Sequence, residues 1–209
     1  MHKRNILEGG LPVEEAAKVM IMIHGRGADA RSIMDMKDYL NLNNFALLAP
    51  QATSSTWYPY SFLSPVDSNE PWLSSAIHIV HSLIDEVTGK GIPAENIYLM
   101  GFSQGACLTL EASARKAQRY GGIIAFTGGL IGKYIDPKNY SGNFQGTPVF
   151  IGCGDTDPHV PLHRVKESTI ELTKLGAAVT EKIYPGIPHT IVQDEINWVN
   201  EHILFINPS

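Results

Sequence analysis

One pattern limits the fold more than any other: short, unbroken apolar runs alternate with longer stretches of helical period. Val19-Met20-Ile21-Met22-Ile23, Phe45-Ala46-Leu47-Leu48-Ala49, Ile97-Tyr98-Leu99-Met100, Ile123-Ile124-Ala125-Phe126 and Val149-Phe150-Ile151 each span five residues or fewer. Runs this short and this uniformly apolar fit strands covered on both faces. A further strand is expected at roughly Val179 to Tyr184. Between the runs, Leu73, Ala76, Ile77, Val80, Leu83, Ile84 and Val87 recur at steps of one, three and four, the stripe of an amphipathic helix. Cys107, Leu110, Ala114 and Ala117 mark a second helix, and Leu162, Val165, Leu172 and Leu175 a third. Ile191, Val192, Ile196, Val199 and Ile203 mark a last one, for which Thr190 is the expected N-cap and Gln193 the partner in a capping box. Strands that alternate with helices need crossover connections. The expectation is therefore an α/β fold with a mostly parallel, twisted sheet and helices on both faces.

No repeat, low-complexity tract or linker divides the chain, and 209 residues suit one domain, expected over 1–209. Apolar residues make up 44%, enough for a sizeable core. Acidic residues outnumber basic ones, 21 to 16, for a formal net charge of -5, a surface that repels phosphate backbones and argues against nucleic acid as a partner. No apolar run approaches the roughly 18 residues of a membrane span. The basic start, Met1 to Asn5, leads into no signal-type apolar stretch. Two cysteines, Cys107 and Cys153, cannot make a disulfide scaffold and suit a reducing interior. The expected location is the cytoplasm, as a monomer or homodimer.

In open α/β sheets, chemistry gathers in loops at the carboxyl ends of the strands. After the run ending at Met100 comes Gly101-Phe102-Ser103-Gln104-Gly105, and then helical period. This G-x-S-x-G pattern between a buried strand and a helix is a nucleophile elbow. The flanking glycines let neighbouring backbone pass, and the tight turn lifts the Ser103 hydroxyl above the sheet. The helix N-terminus aims N–H groups at developing negative charge.

A serine hydroxyl needs a general base, and histidine suits that work near neutral pH. Of the histidines after Ser103, His163 and His202 fall within helical stretches and His159 sits beside the best acid candidates. His189, in Pro185-Gly186-Ile187-Pro188-His189-Thr190, occupies a loop between the last strand and the last helix. It is the candidate base. The orienting acid should follow the preceding strand, where Gly152-Cys153-Gly154-Asp155-Thr156-Asp157-Pro158 offers two aspartates, and spacing leaves both open. One should orient the imidazole and the other serve a turn. After the first buried strand, His24-Gly25-Arg26-Gly27-Ala28-Asp29 can bend close to a substrate oxygen. With the Gln104 N–H it would supply two donors for a tetrahedral intermediate. No G-x-G-x-x-G opens a helix here, so dinucleotide binding is not indicated.

Taken together, His24-Gly25-x-Gly27, Trp57-Tyr58, the Ser103 elbow, Gly154-Asp155-x-Asp157-Pro158-x-Val160-Pro161 and Pro188-His189 resemble the phospholipase/carboxylesterase family. These are acyl-protein-thioesterase-like serine esterases of the α/β-hydrolase superfamily. The resemblance runs in order from Val19 to the last helix. It implies an α/β-hydrolase sheet with little or no cap domain, hydrolysis of carboxylic esters or thioesters, and no cofactor. It further implies Ser103 as nucleophile, His189 as base, Asp157 as acid, and the backbone N–H groups of Arg26 and Gln104 as oxyanion hole. Two departures stand out. Arg26 replaces an apolar residue of better-studied eukaryotic members, making its side chain a candidate for altering acyl or acid recognition. Ala106 replaces a second glycine after the elbow. The segment before Val19 is short, so an early edge strand common in the fold is expected to be missing.

The stretch Trp57-Tyr58-Pro59-Tyr60-Ser61-Phe62-Leu63 is aromatic yet punctuated like a loop. Trp57 and Phe62 are expected to wall an apolar acyl or alcohol site for moderate-sized esters. His78 with His81, and His159 with His163, have helical spacing but no evident third ligand, so no metal site is expected. His24 reads as a structural hydrogen-bonder and Cys107 as a buried small apolar residue. The weaker functional readings are a dienelactone-hydrolase-like enzyme, whose elbow usually carries cysteine, and a non-catalytic ligand-binding protein on the same fold.

Overall fold

All the apolar runs become strands of one seven-stranded sheet. The computed structural model describes residues 1–205; residues 206–209, the end of the expected domain, lie outside that description. The strands are β1 (Ile6–Gly10), β2 (Lys18–Ile23), β3 (Phe45–Pro50), β4 (Ile97–Phe102), β5 (Gly122–Phe126), β6 (Pro148–Gly154) and β7 (Ala178–Tyr184). Their order across the sheet is β1-β3-β2-β4-β5-β6-β7, parallel throughout except for β1, which runs antiparallel to β3. The expected α/β-hydrolase architecture is present.

The strands alternate within runs that look uniform in sequence. Val19, Ile21 and Ile23 face one core with Ile97 and Leu99, whereas Met20 and Met22 face the other with Tyr98 and Met100. Helices α2 (Trp72–Gly89), α3 (Gln104–Arg115) and α4 (Leu162–Lys174) cover the first face. Helices α1 (Ala30–Met34) and α5 (Gln193–His202) cover the second. Both faces are lined because each crossover helix must bury its own apolar stripe. Among the described residues no helix is long and apolar enough to cross a membrane.

Three expectations need correction. The early edge strand is present as β1. It contributes only Ile6 and Leu7 as large apolar residues and is half exposed, so it carries no buried-strand signature. The stripe ending at Ala117 outruns its helix, which stops at Arg115; Ala117 instead bridges to Gly142. Thr190 does not cap the last helix. Val192 precedes its first turn, and the Glu195 carboxylate accepts the Val192 N–H at 2.7 Å. The capping acceptor is thus a glutamate reaching backward from the first turn, placed three residues after Val192 as a box requires.

Candidate active site

The elbow joins β4 to α3, and its glycines are required by close approach. A Cβ on Gly105 would run into the carbonyl of Ile23 and lie 2.6 Å from that of His24, while one on Gly101 would strike the backbone of Gly105. Strand β2 therefore lies hard against the start of α3. Ser103 sits at the apex with φ 57° and ψ -119°, backbone that a non-glycine residue holds only when its surroundings dictate it. Its N–H is anchored on the Phe126 carbonyl at 3.0 Å.

Two loops from the far side of the sheet complete the cluster. His189, after β7, presents Nε2 to Ser103 Oγ at 2.8 Å and Nδ1 to Asp157 Oδ2 at 2.6 Å. An ionised carboxylate can only accept, so Nδ1 carries the proton and Nε2 is left to accept the serine O–H. The Asp157 side chain is fully buried, and its other oxygen accepts the N–H groups of His159 at 2.7 Å and Val160 at 3.0 Å. Asp155, the alternative that spacing left open, accepts the Gly186 N–H at 2.6 Å and so braces the loop that carries His189. Gly154 makes the junction possible, since a Cβ there would drive into the Ile187 carbonyl.

The loop after β2 forms the opposite wall. Gln104 opens α3, so its N–H has no intrahelical acceptor. Among the described residues neither it nor the Arg26 N–H joins a turn, loop or cap hydrogen bond. Behind this wall, the His24 ring is buried: Nδ1 donates to the Gly25 carbonyl at 2.7 Å and Nε2 accepts the Ala52 N–H at 3.1 Å. Burial lowers the His24 pKa. The histidine is a structural hydrogen-bonder.

Between the walls lies a cavity of about 480 Å³, reached by Ser103, His189, Tyr58, Tyr60, Phe62 and His159 among others. Phe62 lines this cavity. Trp57 does not. It is fully buried behind the cavity, its ring tilted against that of His24 with centroids 5.0 Å apart and its indole N–H donating to the His24 carbonyl at 2.9 Å. An indole can donate only one hydrogen bond, and that bond draws the ring inward, leaving Tyr58 and Tyr60 in its place. The Arg26 side chain, a candidate for meeting substrate acid groups, is turned onto backbone carbonyls of the same loop.

His159 packs edge-on against His189 with ring centroids 4.9 Å apart, and Phe102 lies 5.1 Å from the same ring on another side. Neither was singled out as a site residue; the only local signal was position beside a stronger candidate. Cys107 also reaches the cavity, but burial pushes its thiol up to about 12, so it stays protonated at neutral pH. Among the described residues no three His, Cys, Asp or Glu side chains gather as metal ligands. His81 Nε2 donates to the Ala112 carbonyl at 2.8 Å.

With this geometry in view, likeness to known proteins is specific. The family model for phospholipase/carboxylesterase matches residues 10–207. The chain belongs to the phospholipase/carboxylesterase family. Membership makes it a hydrolase of the carboxylesterase class. A crystal structure of a phospholipase/carboxylesterase from Dyadobacter fermentans superposes with a TM-score of 0.96 at 52% identity, covering 98% of each chain. A probable carboxylesterase of Oryza sativa subsp. japonica is 27% identical over 88% of this chain and 77% of its own. Acyl-protein thioesterase 1 of Saccharomyces cerevisiae is 30% identical over 76% of this chain and 69% of its own.

Proposed function

We propose that this phospholipase/carboxylesterase family member cleaves carboxylic esters through an acyl-enzyme formed on Ser103. The observation that carries the reading is the unbroken hydrogen-bonded chain from Asp157 through His189 to Ser103. Ser103 Oγ attacks the ester carbonyl carbon as its proton passes to His189 Nε2, and the carbonyl π pair moves onto oxygen. The N–H groups of Arg26 and Gln104 receive that oxyanion, each such donor typically lowering the barrier by about 3 kcal/mol. Asp157 holds the imidazole in the needed tautomer and stabilises its cationic form. As the tetrahedral adduct collapses, His189 returns the proton to the departing alkoxide. Water, deprotonated by the same imidazole, then releases the acid and restores Ser103.

The aromatic side chains of Tyr58, Tyr60 and Phe62 favour a moderate-sized apolar acyl or alcohol group. Thioesters are a second reading, favoured by the relatives named acyl-protein thioesterase. The same machinery serves both, because only the leaving atom differs.

A fluorophosphonate probe tests the nucleophile. It is expected to label the wild-type chain at one serine and to leave Ser103→Ala unlabelled, with kcat on p-nitrophenyl butyrate lowered by about 10⁵- to 10⁶-fold. Labelling that survives the substitution overturns the assignment, and a wild-type chain that neither labels nor turns over favours a non-catalytic binder. Matched oxygen and sulfur esters then decide between ester and thioester preference.

A further inference from the structure

Arg26 spends its side chain in an unusual way. Its guanidinium donates to three consecutive carbonyls: Nη2 to Tyr58 O at 2.9 Å and Tyr60 O at 2.7 Å, Nη1 to Pro59 O at 2.9 Å. Three successive carbonyls turned toward one point repel each other unless a cation sits among them, and a planar guanidinium fork fits that task better than a point charge. The guanidinium carbon also lies 6.0 Å from the Tyr58 ring centroid.

Gln104 grips the same segment from the other side. Its Oε1 accepts the Trp57 N–H at 2.9 Å and its Nε2 donates to Tyr58 O at 2.8 Å, so the Tyr58 carbonyl is shared by both side chains. These are the two residues whose backbone N–H groups are assigned to the oxyanion. The backbone around Arg26 is stitched to the same loop on both flanks: His24 O accepts the Trp57 indole N–H at 2.9 Å, and Gly27 N–H donates to Ser55 O at 2.7 Å. The oxyanion donors and the aromatic wall therefore form one hydrogen-bonded body.

We propose that the Arg26 side chain is a positioning residue that holds the Tyr58–Tyr60 wall in register with the oxyanion donors, rather than an anchor for a substrate carboxylate. Its donors are occupied by the loop, so an acidic substrate would have to compete with three carbonyls already in place. Without the fork, the loop relaxes outward, the acyl wall drifts from Ser103, and the strip carrying the Arg26 N–H loses a tether. Misplacement of a site by about 1 Å costs up to about 100-fold in rate. The kinetic side of the inference rests on the ester-hydrolysis reading; the structural side does not.

The test compares Arg26→Met and Arg26→Lys with wild type in two measurements. In steady-state kinetics on neutral p-nitrophenyl butyrate, kcat is expected to fall about 10- to 100-fold in Arg26→Met. Arg26→Lys, which keeps the charge but donates from one atom, is expected to fall in between. In amide hydrogen exchange, the Trp57 and Tyr60 N–H groups, bonded to Gln104 and Asn69 side chains, are expected to exchange at least about tenfold faster in Arg26→Met. Wild-type kcat in Arg26→Met, full recovery in Arg26→Lys, or unchanged exchange each overturns the proposal. So does a loss confined to esters that carry a carboxylate. A wild-type chain with no esterase activity counts against the ester reading instead, and the exchange measurement then decides the positioning role of Arg26 on its own.

Discussion

The two banks of the cleft are held by opposite kinds of side chain. On the first bank, neutral imidazoles pin the backbone. His24 accepts the Ala52 N–H, and His2 accepts the Thr53 N–H at 3.1 Å while its other nitrogen donates to the Trp57 carbonyl at 2.8 Å. On the second bank, carboxylates do so: Asp157 gathers two loop N–H groups and His189, and Asp155 gathers Gly186. A proton added to either imidazole of the first bank destroys an acceptor that a backbone N–H needs. The carboxylate oxygens of the second bank accept without depending on a ring tautomer, and Asp157 lies directly against the residue 189 imidazole. On the proposed mechanism, the bank assigned to the oxyanion is held by neutral rings, and the bank assigned to the proton is held by carboxylates.

The sharpest way to break the comparison is to neutralise one acid at a time on the second bank. Asp157→Asn is expected to lower kcat by about 10⁴-fold, because the amide can donate to Nδ1 and select the wrong tautomer. Asp155→Asn keeps an oxygen for the Gly186 N–H and is expected to stay within about fivefold of wild type. Equal losses in steady-state kinetics would erase the distinction between orienting acid and turn acid.

Next in size is the pH dependence of stability. Burial lowers the pKa of both His24 and His2 below the ordinary 6.5. The unfolded chain then binds protons before the folded one does, so their contribution is complete above pH 6.5 and is lost as pH falls through the folded values. Glu195 works in the opposite direction. It is buried at the start of α5 with one carboxylate oxygen lacking a partner among the described residues, and burial raises it from 4.5 to about 7. Its folded form holds the proton longer than the unfolded one, so stability is lost as pH rises from 4.5 through about 7. Glu195→Gln keeps an acceptor for the Val192 N–H without the charge. Denaturant titration should find it more stable than wild type at pH 8, by on the order of 3 kcal/mol, and indistinguishable at pH 4. A constant difference at both pH values would show that the buried charge is not the cause. His24→Phe should flatten the acid side of the wild-type curve even though it lowers stability overall.

The smallest effect tests the helix that follows the second bank. Thr190→Ala is expected to change stability by less than about 0.5 kcal/mol by thermal unfolding, since Thr190 caps nothing. A loss near 1 kcal/mol, the ordinary cost of removing an N-cap, would mean that Thr190 caps the helix after all.

What was legible locally and what was not divides along the same line. Strands β2 to β6 declared themselves because burial on both faces leaves an apolar run no polar residue can interrupt, while β1, exposed along one edge, left only Ile6 and Leu7 to see. Ser103 was legible because an elbow needs its glycines within two residues of the serine, and His189 because a loop between strand and helix is visible in the pattern. His159 lies in such a loop too, but its contact with His189 is between rings thirty residues apart in sequence, which no local pattern shows.

By itself, then, the order of residues determined the sheet, its crossover helices and the strand ends at which reactive groups would collect, since those follow from periodicity and steric rules that act within a few residues. Which aspartate meets the imidazole, which aromatic faces the cavity and where the Arg26 guanidinium is spent were decided only when distant loops came together. Such choices turn on hydrogen bonds between groups that share no local pattern: Trp57 donates to one buried carbonyl, and Arg26 to the three that its neighbouring loop turns toward it.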